Sequence, residues 1–210
     1  EKLPPLADSF ACCGRVTAEA AEPLVAFVKC HGTYDKTVKD CVYMGFDDCR
    51  SAAVVPGKGP ASCTYGCLGF GTCVKVCQFD AIHVKDGVAV VDREKCVGCG
   101  SCAAECPRGV IALVPKKSKV QVGCSNPLKG PFVKKVCSTG CIGCTLCVKA
   151  CPKQAISMQG NLAVIDPALC VNCGLCVSKC PAKAIVDMRP PRPAPAPKPQ
   201  PEAPQPQAQA

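Results

Sequence analysis

Two segments of the chain alternate apolar and polar residues around a glycine-containing turn. The first is AIHVKDGVAVVD at positions 81–92, and the second is AISMQGNLAVID at positions 155–166. Alternation with a period of two, interrupted by Lys-Asp-Gly or Gln-Gly-Asn, is typical of a short β-hairpin. The pattern therefore predicts two hairpins of similar design.

The other apolar runs also predict short elements. PLVAFVKC at 23–30 indicates a strand that ends at a cysteine, and FDDCRSAAVV at 46–55 indicates a short helix capped by Asp47 or Asp48. Cysteine-rich loops beside the hairpins run into short helices such as TLCVKAC, so each hairpin belongs to a small α+β unit. No run approaches the roughly 18 apolar residues of a membrane-spanning helix, and no signal peptide is visible.

Cysteine dominates the composition, with 23 of 210 residues, whereas tryptophan is absent. A chain with so few aromatic residues is not expected to build a large core and needs covalent or metal staples. The cysteine content is compatible with a disulfide scaffold, a zinc protein or an iron–sulfur protein. Thiols two residues apart, repeated in threes, are poor partners for separate disulfides and good ligands for one compact metal centre.

Four cysteine blocks are visible, reading CTYGCLGFGTCVKVCQ, CVGCGSCAAECP, CIGCTLCVKACP and CVNCGLCVSKCP. The last three follow the pattern C-x2-C-x2-C-x3-C-P of bacterial two-cluster ferredoxins, whereas structural zinc sites usually use two separated C-x2-C pairs. Cys77 and Cys106 are separated by the same interval as Cys151 and Cys180. We therefore predict an α+β fold with two tandem ferredoxin-like units, each holding two [4Fe-4S] clusters.

In this pattern the fourth cysteine of a block binds the cluster of the other block. The first block is irregular, with gaps of three, five and three residues and Gln78 in place of proline, so its ligand set is the least regular. The predicted ligand sets are Cys96, Cys99 and Cys102 with Cys77; Cys141, Cys144 and Cys147 with Cys180; Cys170, Cys173 and Cys176 with Cys151; and Cys63, Cys67 and Cys73 with Cys106.

Seven cysteines remain outside these sets: Cys12, Cys13, Cys30, Cys41, Cys49, Cys124 and Cys137. Cys30 and Cys124 follow similar apolar runs, and each is followed by a further cysteine, at Cys49 and Cys137 respectively. These four residues could bind a fifth centre, either iron–sulfur or zinc. The alternative is that they are small buried apolar residues, as free cysteines often are.

These patterns divide the chain into six segments. We predict an N-terminal linker at 1–22, a cysteine-containing α/β segment at 23–62, a first two-cluster unit at 63–115, a connector with Cys124 at 116–136, a second two-cluster unit at 137–188, and a disordered tail rich in Pro, Ala and Gln at 189–210.

The formal net charge of +9 would ordinarily suggest an anionic partner. Oxidised four-iron clusters with four thiolates each carry two negative charges, so four of them would bring the chain to about +1. No aromatic-rich basic patch supports binding to nucleic acid, and no nucleotide fingerprint or nucleophile–base pair is present. The residues therefore favour an electron carrier over a nucleic-acid-binding protein.

The segments VAFVKCHG, GFDDCRSAA, ASCTYGCLGFGTCVKVCQFDAIHV and KGPFVKKVCSTGCIGCTLC resemble the B-subunit family of Rnf complexes, which are ion-translocating ferredoxin:NAD+ oxidoreductases. The resemblance covers roughly residues 23–188. It implies an electron-input subunit at the cytoplasmic face of the cell membrane, without a substrate-transforming site of its own. Such a subunit would take electrons from reduced ferredoxin and pass them to the membrane and flavin subunits, toward NAD+ reduction coupled to Na+ or H+ transport. The alternatives are a free polyferredoxin, the iron–sulfur subunit of another oxidoreductase and, more remotely, a zinc-binding structural module.

The sequence departs from this family at its start. Family members carry an N-terminal membrane helix and a further cysteine-rich segment, and Cys12 and Cys13 do not reproduce that segment. Because the chain begins at Glu1 rather than at methionine, we expect a fragment, a processed form or a partial gene product, which leaves open whether an anchor precedes it. Membrane association is expected through the complex.

Overall fold

The computed structural model describes residues 22–190, a range that excludes Cys12, Cys13 and nearly all of the predicted tail. Every helix and strand in this range is short. The strands are β1 Leu24–Val28, β2 Ile82–Lys85, β3 Val88–Val91, β4 Ile111–Pro115, β5 Val120–Val122, β6 Ile156–Gln159, β7 Leu162–Ile165 and β8 Ile185–Asp187. The helices are α1 Cys49–Val54, α2 Thr72–Lys75, α3 Ser101–Glu105, α4 Gly130–Val136, α5 Leu146–Lys149 and α6 Leu175–Lys179, with a 3-10 turn at Pro56–Lys58.

The eight strands form four antiparallel pairs, which fall into two matched sets. β2 pairs with β3 and β6 pairs with β7, so both predicted hairpins are confirmed. An outer pair completes each set: β1 pairs with β4 in the first set, and β5 pairs with β8 in the second. The mixture of short helices and strand pairs confirms the predicted α+β class.

The outer pairs join segments that are distant in the sequence. The predicted strand at 23–30 is present as β1, but its partner β4 lies beyond two cysteine blocks. β5 lies in the stretch predicted to be a connector and pairs with β8 after the last block. The sequence-based boundaries at residues 63 and 137 therefore fall inside the two paired sets.

Each set of strands buries its own apolar cluster. Ala26, Ile82 and Val110 are nearly fully buried in the first cluster, and Val120 and Ala184 in the second. Cysteines belong to both clusters, including Cys73 and Cys102 in the first set and Cys141, Cys147 and Cys176 in the second. The thiols thus take part in the core of a fold whose aromatic residues are few.

Helix α1 is held against α2 by a chain of hydrogen bonds. Of the two predicted caps, Asp48 is the one used, because its carboxylate accepts the backbone N–H of Ser51 at 2.9 Å. The Thr72 hydroxyl donates to the same carboxylate at 2.8 Å and accepts the backbone N–H of Cys49 at 2.7 Å. This network fixes Cys49 at the start of α1 beside the second helix.

Polar contacts also connect the two sets. The guanidinium of Arg93 donates to the carbonyls of Lys116 and Ser118, each at 2.9 Å, where the chain passes from β4 to β5. The loop after β1 reaches α4, since Val38 N–H donates to Val136 O at 3.1 Å. Within residues 22–190, the helices are too short or too polar to cross a membrane.

Candidate iron–sulfur centres

Each cysteine block enters its short helix through a residue in the left-handed backbone region. These residues are Gly71, Gly100, Thr145 and Gly174, with φ between 59° and 85°. The sharp turn places a buried cysteine at the second position of each helix, namely Cys73, Cys102, Cys147 and Cys176. The blocks therefore direct one thiol each into the core.

The structure brings Cys77, Cys96, Cys99 and Cys102 together around one cavity in the first set. Backbone N–H groups point at two of these sulfurs: Ala26 donates to Cys96 Sγ at 3.3 Å, and Ala81 donates to Cys77 Sγ at 3.4 Å. Ala26 belongs to β1, so the strand outside the cysteine blocks contributes directly to this site.

The second set repeats the arrangement. Cys141, Cys144, Cys147 and Cys180 line one cavity, and Ala184 N–H donates to Cys180 Sγ at 3.3 Å. Cys176 lies beside Cys170 and Cys173, whose thiols help burial to raise its pKa to about 11. Cys151 and Cys170 pack against the same core cluster, and Ala155 N–H donates to Cys151 Sγ at 3.3 Å.

The fourth group differs from the predicted one in a single residue. Cys67, Cys73 and Cys106 line a cavity together with Cys49, whereas Cys63 does not border it. Burial raises the pKa of Cys73 to about 12, and the thiols of Cys67, Cys49 and Cys106 contribute to this rise. The reason is tertiary: Thr72 holds the start of α1 against α2 and so brings in a thiol from outside the block.

Cys63 faces a different and larger cavity of about 230 Å³, which Cys30, Cys124 and Cys137 also line. Cys49, which the sequence placed with these three residues, lies in the other cavity instead. Cys49 and Cys63 have thus exchanged places relative to the sequence-based sets. The exposed Cys41 also borders the larger cavity.

The grouped thiols and the N–H donors beside them are typical of iron–sulfur sites. Among residues 22–190, no three His, Cys, Asp or Glu side chains are placed so that they could hold one metal ion. A four-iron cluster takes one thiolate per iron, spread around a centre several ångströms across, and N–H donors to sulfur are typical of its surroundings. The cavities supply soft thiol ligands and the N–H groups of Ala26, Ala81, Ala155 and Ala184.

Burial keeps several thiols protonated when metal is absent. It raises the pKa of Cys30 to about 11, with the neighbouring Cys67 and Cys63 thiols adding to the effect. A ligand thiol must lose its proton to bind metal, so cluster binding at neutral pH releases protons from these sites. Several thiolates can share one apolar cavity only when a cationic centre offsets their charge.

Family models match three parts of the chain. Residues 140–184 match the 4Fe-4S dicluster domain, and residues 89–112 and 67–81 each match a 4Fe-4S binding domain. These matches support 4Fe-4S clusters as the cofactor. The match at 67–81 includes Cys67, Cys73 and Cys77.

Curated relatives match over a larger part of the chain. The B subunit of the Na+-translocating ferredoxin:NAD+ oxidoreductase complex of Acetobacterium woodii is 47% identical over 150 residues, which cover 71% of this chain and 45% of the relative. The B subunit of the proton-translocating ferredoxin:NAD+ oxidoreductase complex of Clostridium ljungdahlii is 46% identical, covering 73% of this chain and 54% of the relative. Over the matched region, the chain is a homologue of these B subunits.

A third relative extends the comparison to the archaea. The B subunit of the ion-translocating oxidoreductase complex of Methanosarcina acetivorans is 44% identical over 141 residues, covering 67% of this chain and 53% of the relative. The chain spans about half the length of the B subunits that it matches. The resemblance seen in the sequence is thus confirmed for the part of these proteins that the chain represents.

The sequence contains one signal that Cys63 differs from the first cysteines of the other blocks. In the regular blocks the first two cysteines are two residues apart, but Cys63 and Cys67 are three apart, and Gln78 stands where proline is expected. Sequence patterns do not reveal two residues that contact Cys63: Asn126, which is almost fully buried, and Arg108. The Arg108 guanidinium donates to Cys63 O at 2.7 Å and to Gly66 O at 3.3 Å, and no local motif marks it.

Proposed function

We propose that this B-subunit homologue is the electron-transfer iron–sulfur subunit of an Rnf-type complex at the cytoplasmic face of the cell membrane. It would accept electrons from reduced ferredoxin and pass them to the other subunits, toward NAD+ reduction coupled to Na+ or H+ translocation. The observation that carries the proposal is that a homologue of B subunits gathers cysteines around several neighbouring cavities.

We further propose that each set of strands is a ferredoxin-like unit with two [4Fe-4S] clusters. When bound, such clusters change oxidation state by one electron with little change in geometry. The four ligand sets are Cys77, Cys96, Cys99 and Cys102; Cys49, Cys67, Cys73 and Cys106; Cys141, Cys144, Cys147 and Cys180; and Cys151, Cys170, Cys173 and Cys176.

The two sites within each unit are neighbours. Helix α2 packs against α3, and the thiol of Cys102 contributes to the raised pKa of Cys73. The thiol of Cys147 acts on Cys176 in the same way, so α5 and α6 repeat this arrangement. Short separations of this kind favour electron exchange between the two sites of a unit.

The N–H groups that point at sulfur have a defined role in this proposal. Each donates to a thiolate whose negative charge grows when an electron is added, so the donors favour the reduced state and raise the reduction potential. Ala81, Ala155 and Ala184 each lie four residues after the cysteine that they contact. The same local turn therefore stabilises ligands in both units.

The proposal is tested by mixing the anaerobically purified chain with reduced ferredoxin and following its visible absorption and electron paramagnetic resonance. We expect bleaching by reduced ferredoxin and the signals of reduced [4Fe-4S] clusters. The same chain stripped of iron serves as the control. If dithionite reduces the chain but ferredoxin does not, the protein is an electron carrier with another donor, and the proposed place in the complex is wrong.

A further inference from the structure

We propose that Cys30, Cys63, Cys124 and Cys137 hold a fifth [4Fe-4S] cluster, which takes its ligands from both units and bridges them. The inference rests on the proposed electron-transfer function and extends it. Without such a bridge, each unit would hold an isolated pair of sites; with it, the sites form one continuous series.

Two of the four cysteines occupy equivalent positions in the duplicated fold. Cys30 lies two residues after the end of β1, and Cys124 lies two residues after the end of β5. β1 and β5 are the outer strands that begin the two sets. The strand pairs therefore carry one thiol from each unit to the same cavity.

The sulfurs of these cysteines converge around a few small residues. Cys30 Sγ and Cys63 Sγ both lie within 3.5 Å of the point that a Cβ on Gly66 would occupy. Cys30 Sγ and Cys137 Sγ both lie within 3.8 Å of the corresponding point on Gly32. Because both positions carry glycine, residues 32 and 66 place no side chain between these thiols, although the Thr37 methyl group also borders the point on Gly32.

Asn126 links the remaining pair. Its side-chain Nδ2 lies 3.6 Å from Cys63 Sγ, and its backbone N–H donates to Cys124 Sγ at 3.5 Å. The residue is 2% exposed, so these donors have little access to water. Donors buried against two thiols are the surroundings that a thiolate-ligated cluster requires.

The other two cysteines at this cavity are less suited to be ligands. Cys41 and Cys67 are not among the thiols nearest to Gly32 and Gly66, and the hydrogen bonds of Asn126 to sulfur go to Cys63 and Cys124. Cys67 also borders the neighbouring cavity, together with Cys49 and Cys106. The four proposed ligands are those whose sulfurs the glycines and Asn126 connect.

The proposed site contacts one site in each unit. Cys67 lines both the larger cavity and the cavity of the nearest site in the first unit. Gly140 lines the larger cavity, and the next residue, Cys141, lines the cavity of a site in the second unit. The proposed site therefore adjoins one proposed site in each unit.

The surrounding chain fixes the ligands in place. Ser138 N–H donates to Lys36 O at 2.9 Å and Val38 N–H donates to Val136 O at 3.1 Å, which anchors the end of α4 at Cys137. The positive charge of Arg108 lies near the thiols of Cys63, Cys67 and Cys30 and offsets negative charge at this site and its neighbour.

The ligand set is tested by iron and acid-labile sulfide analysis of two double variants of the full chain, purified without oxygen. Five clusters predict about twenty irons in the unchanged chain. Cys30→Ala with Cys63→Ala removes two ligands of one site and should leave about sixteen. Cys30→Ala with Cys49→Ala damages two sites and should leave about twelve. Cys41→Ala is the matched control and should retain all of the iron.

The reverse order, with fewer irons in the Cys30/Cys63 variant than in the Cys30/Cys49 variant, would overturn the proposed ligand set. About sixteen irons in the unchanged chain would overturn the bridge even if a variant failed to fold, and would leave the electron-transfer proposal intact. A chain without iron or sulfide would remove both proposals.

Discussion

At the scale of single residues, Asp48 shows how one side chain fixes the position of a proposed ligand without contacting its thiol. Its carboxylate caps α1 and accepts the Thr72 hydroxyl, and Thr72 in turn accepts the N–H of Cys49. The hydrogen bonds also hold the pKa of Asp48 below its usual range, the N–H of Ser51 being the main cause. The position of Cys49 therefore depends on a residue that binds no metal.

Asp48→Ala should loosen α1 and the site that Cys49 completes. Loss of an N-cap costs about 1 kcal/mol of unfolding free energy, and Thr72 loses its acceptor as well. We expect a lower midpoint of thermal unfolding and faster release of about four irons to a chelator. Asp47→Ala is the control, since the adjacent Asp47 is not the cap. Equal iron release from both variants would contradict the assigned role.

Asn126 provides a second test, directed at potential rather than stability. Asn126→Asp preserves the oxygen that accepts Leu128 N–H but replaces the donor beside Cys63 with a negative charge. A change of about 1.4 kcal/mol corresponds to about 59 mV for one electron, so we expect one cluster to shift by that order to a more negative potential.

The shift is measured by a redox titration that follows electron paramagnetic resonance. Gln159→Glu makes the same change in charge at an exposed position at the end of β6 and should leave all potentials nearly unchanged. A uniform shift of every cluster in both variants would indicate a general charge effect and contradict a local role for Asn126.

At the scale of elements, the strands that close each unit come from outside the cysteine blocks. Val25 is fully buried in β1, and the adjacent Ala26 donates its N–H to Cys96. β1 thus contributes both apolar contact and an N–H donor to a site whose proposed ligands all lie more than 45 residues further along the chain.

Val25→Ala should weaken the first unit and leave the second intact. Removing the buried methyl groups costs about 2 kcal/mol, from lost transfer energy and the cavity left behind. We expect faster loss of iron from the first unit, followed by chelation kinetics with a separate phase for each unit. Leu24→Ala is the control because Leu24 is 40% exposed. If Val25→Ala accelerated the loss of iron from the second unit only, the pairing of β1 with the first unit would be contradicted.

The elements that were predicted correctly from the sequence are those with local causes. The two hairpins follow from alternation and a turn, and the cap of α1 follows from Asp48 and the N–H three residues on. The partners of β1 and β5 were not predicted, because pairing across two cysteine blocks leaves no periodic signal in either strand.

The difference between local and long-range contacts also separates the proposed ligands. Thiols within one block are placed by a short turn, so the thiols that spacing groups with Cys102 and with Cys147 each border one cavity. Cys49 and Cys63 are placed by tertiary contacts, through Thr72 in one case and Arg108 in the other. Spacing alone assigned Cys63 to its nearest block, although Cys63 does not border the cavity that Cys67, Cys73 and Cys106 line.

At the scale of the whole molecule, the repeated fold and the positive formal charge are both consistent with the binding of several clusters. A chain with a formal charge of +9 would carry about −1 when five oxidised clusters are bound. The excess of lysine and arginine therefore compensates for the cofactors, and no anionic macromolecule is needed to account for it. In the proposed arrangement, the two units and the bridge between them would make one electron-transfer series from a repeated fold.

The central claim is that the chain is a continuous series of one-electron centres. The most direct measurement is an anaerobic coulometric titration of the full chain, which counts the electrons taken up and returned reversibly. The account predicts about five electrons per chain, one for each cluster. A chain that folds, holds its metal and accepts no electrons would contradict it.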